Sequence, residues 1–120
     1  RLENAAVFNN TGTFETLNAA NLFTSTSAGF NNSGIFITNN TSDILTGISF
    51  VNTAGTIDIR SGSILSINGG VPLTLDTGSV LQGTGSFLGN VINNAGAVQP
   101  GGVSATGILT INGTYTQGVN

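Results

Sequence analysis

The sequence predicts an all-β fold, a right-handed parallel β-solenoid of about five to six rungs of roughly 20–22 residues. Two recurring motifs share one period, and the segments between them alternate apolar and polar residues as strands do. The third observation is composition: only 6% of residues are charged while 38% are hydrophobic, against roughly 25% charged in an ordinary globular domain.

The main motif reads apolar, Asn, any, any, Gly, any, apolar. It occurs as FNNTGTF (Phe8 to Phe14), FNNSGIF (Phe30 to Phe36), VNTAGTI (Val51 to Ile57) and INNAGAV (Ile92 to Val98). Its glycines, Gly12, Gly34, Gly55 and Gly96, step by 22, 21 and 41 residues, so the last step is close to two periods. A degenerate copy, TLDTGSV from Thr74 to Val80, fills the gap, with Gly78 in register, Leu75 in the Asn place and Thr74 in the first apolar place. A second motif, LSING at Leu65 to Gly69 and LTING at Leu109 to Gly113, is spaced by 44 residues, again two periods.

A period of 20 to 50 residues marks solenoids, propellers or arrays. The local pattern selects among them. GIFIT, GTIDIR, SILSI, PLTL and ILTI alternate at period 2, are rich in β-branched residues, and are bounded by Gly and Asn. Leucine-rich repeats need a dense Leu ladder, and propeller blades need about 40 residues each, so neither fits. The right hand follows from the general preference of parallel crossovers.

Stacking rungs at the parallel strand spacing of ~4.8 Å superposes equivalent residues. Phe8, Phe30, Val51 and Ile92 are expected to form one inward ladder, and Phe14, Phe36, Ile57, Val80 and Val98 a second. The motif glycine is expected at a corner requiring positive φ, and Asn9, Asn31, Asn52 and Asn93 are expected to stack just before it as an Asn ladder.

With 120 residues the chain is expected to be one solenoid domain or segment, 1–120. Its formal charge is −3, it has no Lys, and its cations are Arg1 and Arg60. A chain so poor in cations has no basic patch for nucleic acid or anionic lipid. Cysteine is absent, which excludes disulfides and thiolate metal sites. No apolar run reaches the ~18 residues of a membrane helix. Neither end reads as a cap: the first copy begins close to Arg1, and TYTQGVN resembles an unfinished rung. The expected partners are therefore adjoining rungs, of the same long chain or of identical chains stacked end to end.

Residues Gly83 to Gln117, GTGSFLGNVINNAGAVQPGGVSATGILTINGTYTQ, resemble the passenger-associated transport repeat of bacterial autotransporters. The resemblance lies in the Gly-rich turn, the Asn-x-Gly turn, the corner at Pro100, Gly101 and Gly102, and the final strand from Gly107 to Gln117. Residues 1–82 resemble the looser β-helix rungs of such passengers and of filamentous haemagglutinin-like proteins. The resemblance implies an exported right-handed β-helix at the bacterial cell surface, as in the stalk of an adhesin. Host or matrix glycans are a further expected partner, and the scarcity of catalytic groups points away from an enzyme.

The residues for chemistry are few. Glu3, Glu15, Asp43, Asp58 and Asp76 have no His, Lys or Cys to partner them, so general acid–base work lacks its second group. Asp58 and Asp76 lie in adjacent rungs, which keeps a polysaccharide-active or polysaccharide-binding β-helix as the alternative. Asp58 and Arg60 sit two apart on one strand face, as an exposed pair would. The GGxGxD pattern of calcium-binding solenoids is absent. Sequons at Asn9, Asn31, Asn39, Asn40 and Asn112 follow from an Asn- and Thr-rich composition. Thr24, Ser25 and Thr26 form a hydroxyl row suited to ice or sugars, but it does not recur at the rung period. No catalytic, cofactor or metal residue is expected.

Overall fold

A computed structural model describes residues 2, 4–17, 23–41, 43–67 and 71–119. In chain order its strands are β1 (Val7–Asn10), β2 (Thr13–Leu17), β3 (Phe23–Asn32), β4 (Ile35–Asn39), β5 (Asp43–Asn52), β6 (Thr56–Ile59) and β7 (Ile64–Ile67). They continue as β8 (Leu73–Leu75), β9 (Val80–Gly83), β10 (Ser86–Leu88), β11 (Val91–Asn93), β12 (Ala97–Pro100), β13 (Thr110–Asn112) and β14 (Tyr115–Gln117). Strand pairing is parallel throughout, in sheets ordered β1-β3-β5-β7-β10-β13, β14-β11-β8 and β12-β9-β6-β4-β2. This is a β-solenoid of about four turns, somewhat fewer than the expected five to six rungs because the rungs at both ends are partial.

Apart from β3 and β5, which run for ten residues, the strands are only three to five residues long, because each carries only one or two inward side chains before a corner. In β6 and β9 the alternation is strict, with Ile57, Ile59 and Leu81 fully enclosed and Asp58 and Gln82 facing outward. The sheets close on one apolar axis containing Phe30, Phe36, Ile57, Leu65, Leu75, Leu81, Phe87 and Val91. Its lower part is aromatic. Phe8, Phe30 and Phe50 stack at 5.1 and 5.5 Å, Phe14 stacks on Phe36 at 5.6 Å, and the columns meet edge to face, as at Phe30–Phe36 (5.3 Å, 89°). Such pairs contribute ~0.5–1.5 kcal/mol each beyond burial.

Two expected ladders are shifted by one residue. Phe50, not Val51, stands on Phe30, and Val51 is 46% exposed. Val91, not Ile92, is enclosed, and Leu81, not Val80, lies between Ile57 and Val98. The cause is corner length. Asn10 to Phe14 and Asn32 to Phe36 span four positions, Asn52 to Ile57 five, and Leu75 to Leu81 six, although these pairs occupy equivalent places. Counting back from the glycine therefore shifts the preceding strand, and one residue of shift exchanges its faces. The LSING and LTING motifs slip by two, since Leu65 and Ile111 both align with Phe87, and a slip of two preserves the face.

The same shift separates the Asn residues into two rows. Asn10, Asn32 and Asn52 form the buried ladder: Asn10 Nδ2 donates to Asn32 Oδ1 at 2.8 Å, Asn32 Nδ2 to Asn52 Oδ1 at 2.7 Å, and Asn52 Nδ2 to the Gly55 carbonyl at 2.7 Å. Asn9 and Asn31 form an outer row joined by an exposed 2.8 Å bond. Leu75 occupies the buried Asn place in the next rung, as its register with Asn93 shows, and Gln117 follows Asn93. Asn93 accepts from the Gly96 N–H at 2.8 Å and donates to the Tyr115 hydroxyl at 3.0 Å.

The motif glycines also differ from expectation. Gly12, Gly34, Gly55 and Gly96 do not take positive φ; Gly78 does, at 84°, and in the third rung Ala54 does, at 55°. The requirement at Gly34 and Gly55 is close approach between rungs. A Cβ on Gly34 would lie 2.1 Å from the Gly12 carbonyl oxygen, and one on Gly55 2.6 Å from Asn32 Nδ2.

Two predictions follow from this packing. Asn32→Ala strands a donor and an acceptor inside the ladder and lowers unfolding free energy by about 2–3 kcal/mol, whereas Asn9→Ala changes it by under about 0.5 kcal/mol; urea denaturation followed by circular dichroism distinguishes them. In the same assay Gly34→Ala, which meets backbone, costs about 3 kcal/mol, while Gly12→Ala, with nothing within 4 Å of the added methyl, stays within about 0.5 kcal/mol.

Candidate functional site

The outward side of the sheet β12-β9-β6-β4-β2 carries a polar row along the solenoid axis. Asp58 on β6 registers with Gln82 on β9, and Gln82 with Gln99 on β12. One rung of spacing, ~4.8 Å, separates neighbours in such a row. Arg60, two residues beyond Asp58, returns its guanidinium to the same face, with Nε 3.2 Å from Asp58 Oδ2. The Asp58 side chain is 13% exposed and that of Arg60 52%, so the guanidinium forms the rim. Gln99 Oε1 is buried without a hydrogen-bond partner among the described residues.

One wall of this groove is the corner after β12. Gly101 and Gly102 take φ of 87° and 88°, values that favour glycine. The Gly101 N–H bonds the Gly83 carbonyl at 2.7 Å and the Gly102 N–H the Gln99 carbonyl at 2.9 Å, folding the corner back beside Gln82. A Cβ on Gly101 would lie 2.6 Å from the Ala105 carbonyl oxygen, so the returning loop is packed against this turn. The groove bounded by Asp58, Arg60, Gln82, Thr84, Gly101 and Gly102 encloses about 350 Å³.

The other acids lie elsewhere. Asp76 is at the corner after β8, accepts from Asn94 Nδ2 at 2.8 Å, and borders a different cleft of about 310 Å³ with Phe50, Asn52, Val71 and Pro72. Asp58 and Asp76 are thus not brought together, because a corner and part of β9 separate Asp76 from Gln82, the register partner of Asp58. Glu15 accepts from Asn39 Nδ2 at 2.9 Å. Asp43 lies within β5, but its side chain is outside the described residues, as are Arg1, Glu3 and the side chains of Thr24, Ser25 and Thr26. Of the sequon residues, Asn40 is buried, and Asn9, Asn31, Asn39 and Asn112 are exposed. Among the described residues there is no group of three His, Cys, Asp or Glu able to hold a metal ion, and no helix long and apolar enough to cross a membrane.

The cleft beside Asp76 marks an interruption. β8 lies over the second half of β5 but forms its ladder only with β11. The Leu73 N–H and Leu75 carbonyl bond to the β11 side, so the groups facing β5 are those of Pro72 and Thr74, and Pro72 has no N–H to donate.

The Asp58 groove offers a carboxylate acceptor, a guanidinium donor and an amide that does both. Its titratable groups are Asp58 and Arg60, which pair with each other. Sequence reasoning had the ion pair and the Pro100 corner but not their meeting at Gln82; the only trace was the recurrence of outward polar residues one rung apart. The chain matches no family model, no curated protein and no solved structure.

Because the two acids belong to separate clefts, the effects of Asp58→Ala and Asp76→Ala on unfolding free energy add to within about 0.5 kcal/mol in a double-mutant cycle. Arg60→Ala alone costs under about 1 kcal/mol, as half-exposed pairs do.

Proposed function

We propose that the chain is a structural segment of an extracellular bacterial surface fibre or adhesin, a stiff spacer with an adhesive outer face. The observation carrying this reading is the succession of parallel ladders with the buried Asn10–Asn32–Asn52 amide row at their corner. Each rung is supported by its neighbours, which makes length cheap to extend and stiffness inherent. The chain is sparsely charged and rich in Asn, Thr and Ser, and the resemblance of residues 83–117 to the passenger-associated transport repeat supports export to the cell surface.

At one end β1 and β2 are edge strands, and at the other β12, β13 and β14 are. Unpaired edges are templates for further pairing. In this reading they are met by adjoining rungs, from the same longer polypeptide or from another copy joined head to tail.

Antibody raised against the chain is expected to label intact producing cells, with the label removed by external protease and unchanged by permeabilisation. Label seen only after lysis would overturn the assignment.

A further inference from the structure

We infer that the groove at Asp58, Arg60 and Gln82 binds a neutral polysaccharide lying along the solenoid axis. The inference deepens the adhesive reading by naming the ligand class and the residues that meet it.

Charge is the first argument. Asp58 and Arg60 compensate each other at 3.2 Å, so the groove presents directed hydrogen-bonding groups with almost no net field. A phosphate or uronate would have to compete with Asp58 for the guanidinium and would then face its carboxylate. A sugar diol, whose hydroxyls donate and accept at once, suits an acceptor and a donor held side by side.

Geometry is the second. Asp58 and Gln82 lie one rung apart along the axis, a spacing close to that of successive rings in an extended glycan chain. The groove is open, and its volume of about 350 Å³ falls within the ~300–1,000 Å³ of ligand clefts.

Preorganisation is the third. Arg60 is anchored by its backbone N–H to the Thr38 carbonyl at 3.0 Å, Asp58 is held by the guanidinium, and the wall is a glycine corner whose Gly101 has no room for a side chain. Little rearrangement of the backbone is needed on binding.

The test is calorimetric titration and amide chemical-shift mapping with laminarihexaose, mannohexaose and chitohexaose, with pentagalacturonate as an anionic comparator. At least one neutral hexaose is expected to bind with shifts at Arg60, Gln82 and Gly102, with little change between low and 0.5 M salt. Asp58→Asn and Gln82→Ala are expected to weaken it at least tenfold, and Asp76→Asn, in the other cleft, to leave it unchanged. Thermal melts matching the parent confirm that the variants are folded, and Arg60→Gln, at a half-exposed position, serves if either is not. Binding of none of the neutral hexaoses, binding undiminished in folded groove variants, or a salt-sensitive preference for the galacturonate would overturn the inference. Surface labelling of cells does not depend on sugar binding, so failure here leaves the fibre reading standing and identifies which proposal has failed.

Discussion

The structure depends on an amide that can donate to the rung on one side while accepting from the rung on the other. Asn32 does this inside the corner, accepting from Asn10 at 2.8 Å and donating to Asn52 at 2.7 Å, where an unmatched amide would be costly. Once these three are in line, the placement of Phe8, Phe30 and Phe50 follows two residues earlier, as does the edge-to-face packing against Phe14 and Phe36. A slip of one residue would put Asn31 or Val51 inside and expose an aromatic ring. The polar ladder thus specifies register, and the apolar columns contribute most of the stabilisation.

The period, the strand character and the parallel stacking were legible because each repeats, and repetition survives local irregularity. Inward residues after the glycine were legible at Phe14, Phe36, Ile57 and Val98, where the distance from glycine to strand is constant. Those before it were misplaced at Val51 and Ile92 because Asn-x-Gly and Asn-x-Ala-Gly corners serve the same bend, one of them by placing Ala54 at positive φ. A linear motif does not reveal which side of a turn has absorbed an extra residue. Gly12, Gly34, Gly55 and Gly96 were read for a conformation that only Gly78 adopts, since crowding between backbones of different rungs has no signature within one rung.

The candidate groove was legible only in parts. Asp58 and Arg60 are neighbours in sequence, but Gln82 joins them through register and Gly101–Gly102 through a fold-back across two rungs. Outward positions carry no hydrophobic pattern, so the sequence does not mark which polar residues share a row. Register supplies that information, and the same solenoid that is a passive scaffold inside becomes a ruler outside.

One interruption has mechanical meaning. Between β5 and β8 a ladder is missing, Pro72 withholds a donor, and Leu75 stands where the amide row would continue. The rungs through β6 and those from β7 onward are therefore joined by two ladders, β5–β7 and β6–β9, not three. A solenoid with uniform interfaces frays from its ends, whereas one with a weakened interface divides there first. Under tension or heat this rod has a seam, a place where it can yield and close again while the blocks on either side stay folded.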